Sequence, residues 1–128
     1  MGFKYAIFHI SLHLLIILAI YSFFNLNSLG LILILFSSFV IDLDHLSLLR
    51  RHGIFDAFFI RTVLEFKKPR KYPLHNFLTI LISGLCSLLI FSSVFILGVC
   101  SLSIFLHLLW DFLEDAIIFK MGTNHWKI

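Results

Sequence analysis

Residues 74–119 read LHNFLTILISGLCSLLIFSSVFILGVCSLSIFLHLLWDFLEDAIIF, and this stretch decides the fold. It is apolar over 46 residues. A hydrocarbon core of about 30 Å is crossed by roughly 20 helical residues, so the stretch holds more than twice what one crossing needs. It must fold back on itself, with Ser92-Ser93 or Gly98 as the expected turn. Two spans result, over 74–92 and 96–113.

Working outward, Tyr5–Phe24 is another run of the same kind, followed by the polar turn Asn25-Leu26-Asn27-Ser28. Leu29–Leu43 is a second apolar run, closed by Asp42, Asp44 and His45. The expected spans here are 5–24 and 29–44. The first is read as a retained span and not a cleaved leader, because no small-x-small cleavage site follows it and it carries His9 and His13. Ile54–Phe66 mixes Phe and Leu with Asp56, Arg61 and Glu65. Arg61 and Glu65 are four apart and share a helical face, which predicts an amphipathic helix lying in the interface. The basic loop Lys67-Lys68-Pro69-Arg70-Lys71 follows, and Pro73 opens the third span.

Composition agrees. The chain has 128 residues, enough for one domain over 1–128, with 60% hydrophobic and only 13% charged residues. A soluble domain carries about a quarter charged residues, so most of this surface must face something other than water. The expected fold class is all-α: a polytopic membrane protein with four transmembrane helices and an interfacial helix between spans two and three. The net charge is +3, and the basic residues are scattered between apolar runs, which excludes a nucleic-acid stripe. Cys86 and Cys100 lie within apolar runs and have neither zinc-finger nor redox spacing. They are read as small packing residues.

Four spans put both termini and the middle loop on one side, together with all ten Lys and Arg, from Lys4 to Lys127. The two opposite turns carry no charge. The positive-inside rule then places the termini in the cytoplasm, for a multi-pass protein of the cell membrane. Trp110 and Trp126 read as interfacial anchors.

The ionisable residues inside the spans fall into a pattern on that topology. His9 and His13 lie early in span one, Asp42, Asp44 and His45 end span two, His75 opens span three, and His107 and Asp111 are near the end of span four. Because spans alternate in direction, all of these groups converge near the cytoplasmic leaflet. His9/His13 and His107/Asp111 are each four apart, and Asp42/His45 three apart, so each pair shares a helix face. Asp44 joins them if span two unwinds there. An Asp at the centre of a span costs about 2.5–3.5 kcal/mol on insertion scales, and a divalent cation offsets that cost directly. Imidazole and carboxylate donors without thiolates suit zinc first, with manganese or iron(II) as alternatives. Eight candidate donors exceed the needs of one ion, so one or two ions are open, with some residues in supporting roles. Glu114, Asp115 and His125 are expected to be solvated or paired with Lys120, and His52 to be an exposed loop residue.

The order Asp42-Leu43-Asp44-His45, a His opening the next span, and then His107-Leu108-Leu109-Trp110-Asp111 resembles the YdjM-type membrane-bound metal-dependent hydrolases. That family carries an early His, a Leu-Pro-Asp-x-Asp-His motif, a His-Arg-Gly-x-Thr-His motif and a late His-x-x-x-Asp. Small relatives with His-x-x-x-His near the start and Pro-Leu-His in the middle are similar in Phe8-His9-Ile10-Ser11-Leu12-His13 and Tyr72-Pro73-Leu74-His75-Asn76. Ile41 stands where the family has Pro. Arg70-Lys71-Tyr72-Pro73-Leu74-His75 keeps the last His and one basic residue of the family's middle motif and lacks its first His, for which the His9/His13 pair can compensate. The resemblance implies metal-dependent hydrolysis. A more distant likeness to zinc-dependent phospholipases C, which are helical with His-x-x-x-Asp/Glu ligands, implies a phosphoester.

The expected function is therefore a membrane-embedded, metal-dependent hydrolase acting on a phosphoester or lipid headgroup at the cytoplasmic leaflet. His9, His13, Asp42, Asp44, His75, His107 and Asp111 are the expected metal residues. Asp44 bridges or acts as general base, and His45 donates a proton to the leaving group. Arg50, Arg51, Arg70 and Lys71 gather anionic headgroups, each contributing on the order of 1 kcal/mol near an anionic surface, or else serve only as the positive-inside signal. Membrane lipids are the expected partners, a lipid phosphate the substrate, nucleic acid is excluded, and a homodimer is compatible with so few spans. The alternative is a non-catalytic metal-binding membrane protein, either an ion carrier or a bundle that a metal staples. Carriers usually hold their ions near the midplane between repeats, and this chain shows no repeat.

Overall fold

A computed structural model describes residues 2–45, 74–114 and 116. Among these the chain forms four α-helices and no strand: α1 (Gly2–Phe23), α2 (Ser28–Ile41), α3 (Phe77–Ile90) and α4 (Phe95–Leu113). A short 3-10 turn, Asp42–His45, continues from α2. The expected interfacial helix over 54–66, the basic loop 67–71 and Pro73 lie outside the described residues.

Asparagines make the connections. Asn25 adopts a left-handed conformation (φ 48°), which Asn tolerates better than most side chains. That lets the Leu26 amide bond back to the Tyr21 carbonyl at 3.1 Å and close the end of α1. Asn27 then caps α2 by accepting from the Gly30 amide at 2.9 Å, and Asn76 caps α3 by accepting from the Thr79 amide at 3.0 Å.

The turn between α3 and α4 is at Phe91–Val94, as the Ser92-Ser93 reading expects. Gly98 is not the turn. It lies inside α4, where a Cβ would come 2.7 Å from the Phe91 Cα, so its missing side chain is what lets the two helices start so close together.

Helix α4 packs on each of the other three, and α1 also packs on α2. Ile17, Ile20, Ile34 and Val99 form one buried cluster, with Phe24 and Phe91 against it. Ile41, Ile80 and Leu108 form a second, with Leu74 and Phe105 against it. Every helix turns large apolar side chains outward, among them Leu18, Phe36, Leu88 and Leu97, all more than half exposed.

By length and composition one helix, α4, is sufficient to cross a membrane. The apolar stretches Ile10–Phe23, Ser28–Ile41 and Phe77–Ile90 are shorter. At 14 residues each, α2 and α3 extend only about 21 Å. Both fall short of the expected 29–44 and 74–92 at the end where Asp42 and His75 stand just beyond the helix, and α3 also stops two residues early at its other end.

Candidate metal centre

The centre grows from two stripes of buried residues spaced by four. On α2 the stripe is Gly30, Ile34 and Ser38, and Asp42 continues it at the helix end; on α4 it is Val99, Ser103, His107 and Asp111. The stripes meet in a constant register of 65 positions. Ile34 and Val99 share a cluster, the Ser38 and Ser103 hydroxyls bond at 3.1 Å, and Asp42 Oδ1 stands 3.2 Å from His107 Nε2. Equal offsets mean that α2 and α4 run in the same direction, as the second and fourth members of an up-down bundle must. Small hydroxyl side chains allow the close approach that brings the carboxylate to the imidazole. Ser101 Oγ donates to the Ser83 carbonyl at 2.8 Å and ties α3 to the same helix.

Five of the expected residues are brought together. His75 Nε2 lies 3.2 Å from Asp111 Oδ2 and 3.8 Å from Asp42 Oδ1. His107 Nε2 lies 3.3 Å from the same Asp111 oxygen. From Asp42, His75, His107 and Asp111, one donor atom each falls within 4.8 Å of the others, and this group can hold a metal ion. Bonds of about 2.0–2.1 Å to a tetrahedral ion would place its ligands roughly 3.3 Å apart. The four separations just given, 3.2 to 3.8 Å, are close to that.

The fifth residue, His13, reaches in from α1. Its Nδ1 is 2.8 Å from His107 Nδ1 and its Nε2 is 3.0 Å from Asp111 Oδ1. The two rings meet edge to face, with centroids 4.0 Å apart.

The side chains of His75 and His107 are 5% exposed and that of Asp111 is 11%, whereas that of Asp42 is 32% exposed. Asp42 is thus the most exposed of the four. Two carboxylates brought together at a largely buried centre carry charge that its surroundings solvate poorly. A divalent cation would neutralise them.

His9 lies on α1 one turn before His13, and Asp44 and His45 belong to the 3-10 turn that begins at Asp42, but the side chains of all three lie outside the described residues. So do Arg50, Arg51, Arg70 and Lys71, together with His52, Asp115, His125 and Trp126. Of the two expectations for Glu114, the solvated one does not hold, since it is only 3% exposed; Lys120, its other expected partner, lies outside the described residues. The place of Glu114 three residues after Asp111 and seven after His107 is the signal that could have found its burial. The Trp110 indole N–H is buried, with no hydrogen-bond partner among the described residues. Cys86 and Cys100 are free, half-buried thiols.

No family model, curated protein or solved structure matches this chain. Asp42 is preceded by Ile41. That residue is the last of α2 and packs against Ile80 and Leu108, so the helix runs unbroken to the centre.

Proposed function

We propose that this chain is a four-span protein of the cytoplasmic membrane and a metal-dependent hydrolase of the YdjM type, acting on a phosphoester or lipid headgroup at the cytoplasmic leaflet. The observation that carries the reading is the convergence of Asp42, His75, His107 and Asp111 at one point between the helices, with Asp42 the most exposed of them. Outward apolar side chains on all four helices support the spans. Helices α2 and α3 stop short because the chain leaves them at the centre, so the centre lies below the membrane surface.

His75, His107, Asp42 and Asp111 would hold the ion, zinc before manganese or iron. Bound there, it would supply Lewis acidity, lowering the pKa of a water and polarising a phosphoryl oxygen. Asp42, the most exposed of the four, marks the side where a headgroup would enter. Asp44 and His45 follow it in the same tight turn, next to that entrance, and take the roles of general base and proton donor. Arg50, Arg51, Arg70 and Lys71 would draw anionic headgroups towards it.

One observation favours a second reading. Four protein donors can close a tetrahedral ion completely, as in structural zinc sites. The ion would then staple the bundle without catalysis.

Cobalt-loaded protein in detergent separates the two readings. Inorganic phosphate should alter the visible spectrum if a coordination position is open, and phosphatidate or a phospholipid should be turned over. An unchanged spectrum with no turnover selects the staple. Loss of turnover in Asp44→Asn, with metal content retained, is the expected result for a base; full turnover in that variant would remove the role.

A further inference from the structure

His13 is close enough to the centre to be counted a ligand, and its ring would give Asp111 Oδ1 a partner for a second ion. Proton counting argues otherwise. A neutral imidazole has one N–H and one lone pair, and which nitrogen holds the proton is set by its contacts. The His13 and His107 rings face each other Nδ1 to Nδ1 at 2.8 Å. Such a contact holds one proton: two would repel, and none would set lone pair against lone pair.

His107 Nε2 is the nitrogen that faces Asp42 Oδ1 and Asp111 Oδ2. To offer a lone pair there, His107 must carry its proton on Nδ1 and donate it to His13 Nδ1. The proton of His13 is then on Nε2, on the side of Asp111 Oδ1, 3.0 Å away. A nitrogen that keeps its proton has no lone pair for a metal.

We infer that His13 is a positioning residue and not a ligand, and that the centre takes a single ion. His13 accepts from one ligand, His107, and faces the outer oxygen of another, Asp111. It thereby fixes the tautomer of the first and turns the second so that Oδ2 points inward. Partners of this kind typically contribute about 10–100-fold to metal affinity. The inference rests on the metal-centre reading above.

The test is a cobalt(II) titration of metal-free protein in detergent, followed by visible absorption, with gel filtration and circular dichroism to establish folding. Wild type should bind one equivalent with a defined visible spectrum. His13→Ala should still bind one equivalent with the same spectrum, about 10–100-fold more weakly. His13→Gln should recover much of the loss, since its amide can both accept from His107 and donate to Asp111. Two equivalents in wild type falling to one in His13→Ala would make His13 a ligand of a second ion and overturn the inference. So would a changed coordination spectrum in folded His13→Ala or His13→Gln, or unaltered affinity in folded His13→Ala. A wild-type protein that binds no cobalt would instead remove the metal centre itself, and the role of His13 with it.

Discussion

Asp42 Oδ1 and His107 Nε2 stand 3.2 Å apart although 65 positions separate them in the chain. One turn earlier on each helix, Ser38 and Ser103 repeat the same offset. The centre is therefore an extension of helix packing, and its geometry depends on the approach of α2 to α4.

Ser103 is fully buried at that contact. Ser103→Leu should force the helices apart at a cost of about 1–3 kcal/mol. Metal content should drop while helicity persists. Ser103→Ala, which removes one hydrogen bond and adds no volume, should cost nearer 0.6 kcal/mol and keep the metal. Elemental analysis with circular dichroism checks both.

Gly98 is the equivalent weak point of the α3–α4 hairpin. A methyl group there meets backbone at Phe91, which cannot rotate away. Gly98→Ala should destabilise the protein by about 1–3 kcal/mol. A lower Tm in detergent with metal stoichiometry unchanged is the expected signature, because the centre is at the other end of α4.

Removing a ligand should be far more severe than removing a supporting residue. His75→Ala and His107→Ala should each lose more than the roughly 10–100-fold in affinity typical of outer partners. Both should purify without metal by elemental mass spectrometry. Added zinc should raise the Tm of metal-free wild type, by about 2.7 kcal/mol of stability at a hundred times Kd, and leave these variants unmoved.

The proposed four-span topology would put Ser93 on the side opposite Lys127. With Cys86 and Cys100 replaced by Ala, Ser93→Cys should react with an impermeant maleimide on intact cells. Lys127→Cys should react only after the membrane is opened. The reverse pattern, or equal labelling, would refute the orientation.

Much of this was legible in the sequence. The long run 74–119 demanded a hairpin, and alternation of span direction brought His13, Asp42, His75, His107 and Asp111 to one level. Which helices touch was not legible, because lipid and protein interior are equally apolar and the hydrophobic pattern cannot separate the two faces. The small and polar residues held that information instead: Ser38, Ser83, Ser87 and Ser103 are all buried and mark the inward stripes. The ends of α2 and α3 were overrun for a related reason. Leu43 and Leu74 continue the apolar run, but the Asp42–His45 turn and the Asn76 cap end the helices earlier. Glu114 is buried and not solvated, which removes one of the two readings its place near the end of α4 allowed; its helical spacing from His107 and Asp111 is the signal for that burial.

Two of the four donors, His107 and Asp111, are on α4, and the other two adjoin α2 and α3. During synthesis the first three helices can form while Asp42 and His75 still lack those partners. The ion-binding group exists only once the fourth helix has docked, so metal capture would report the completion of assembly.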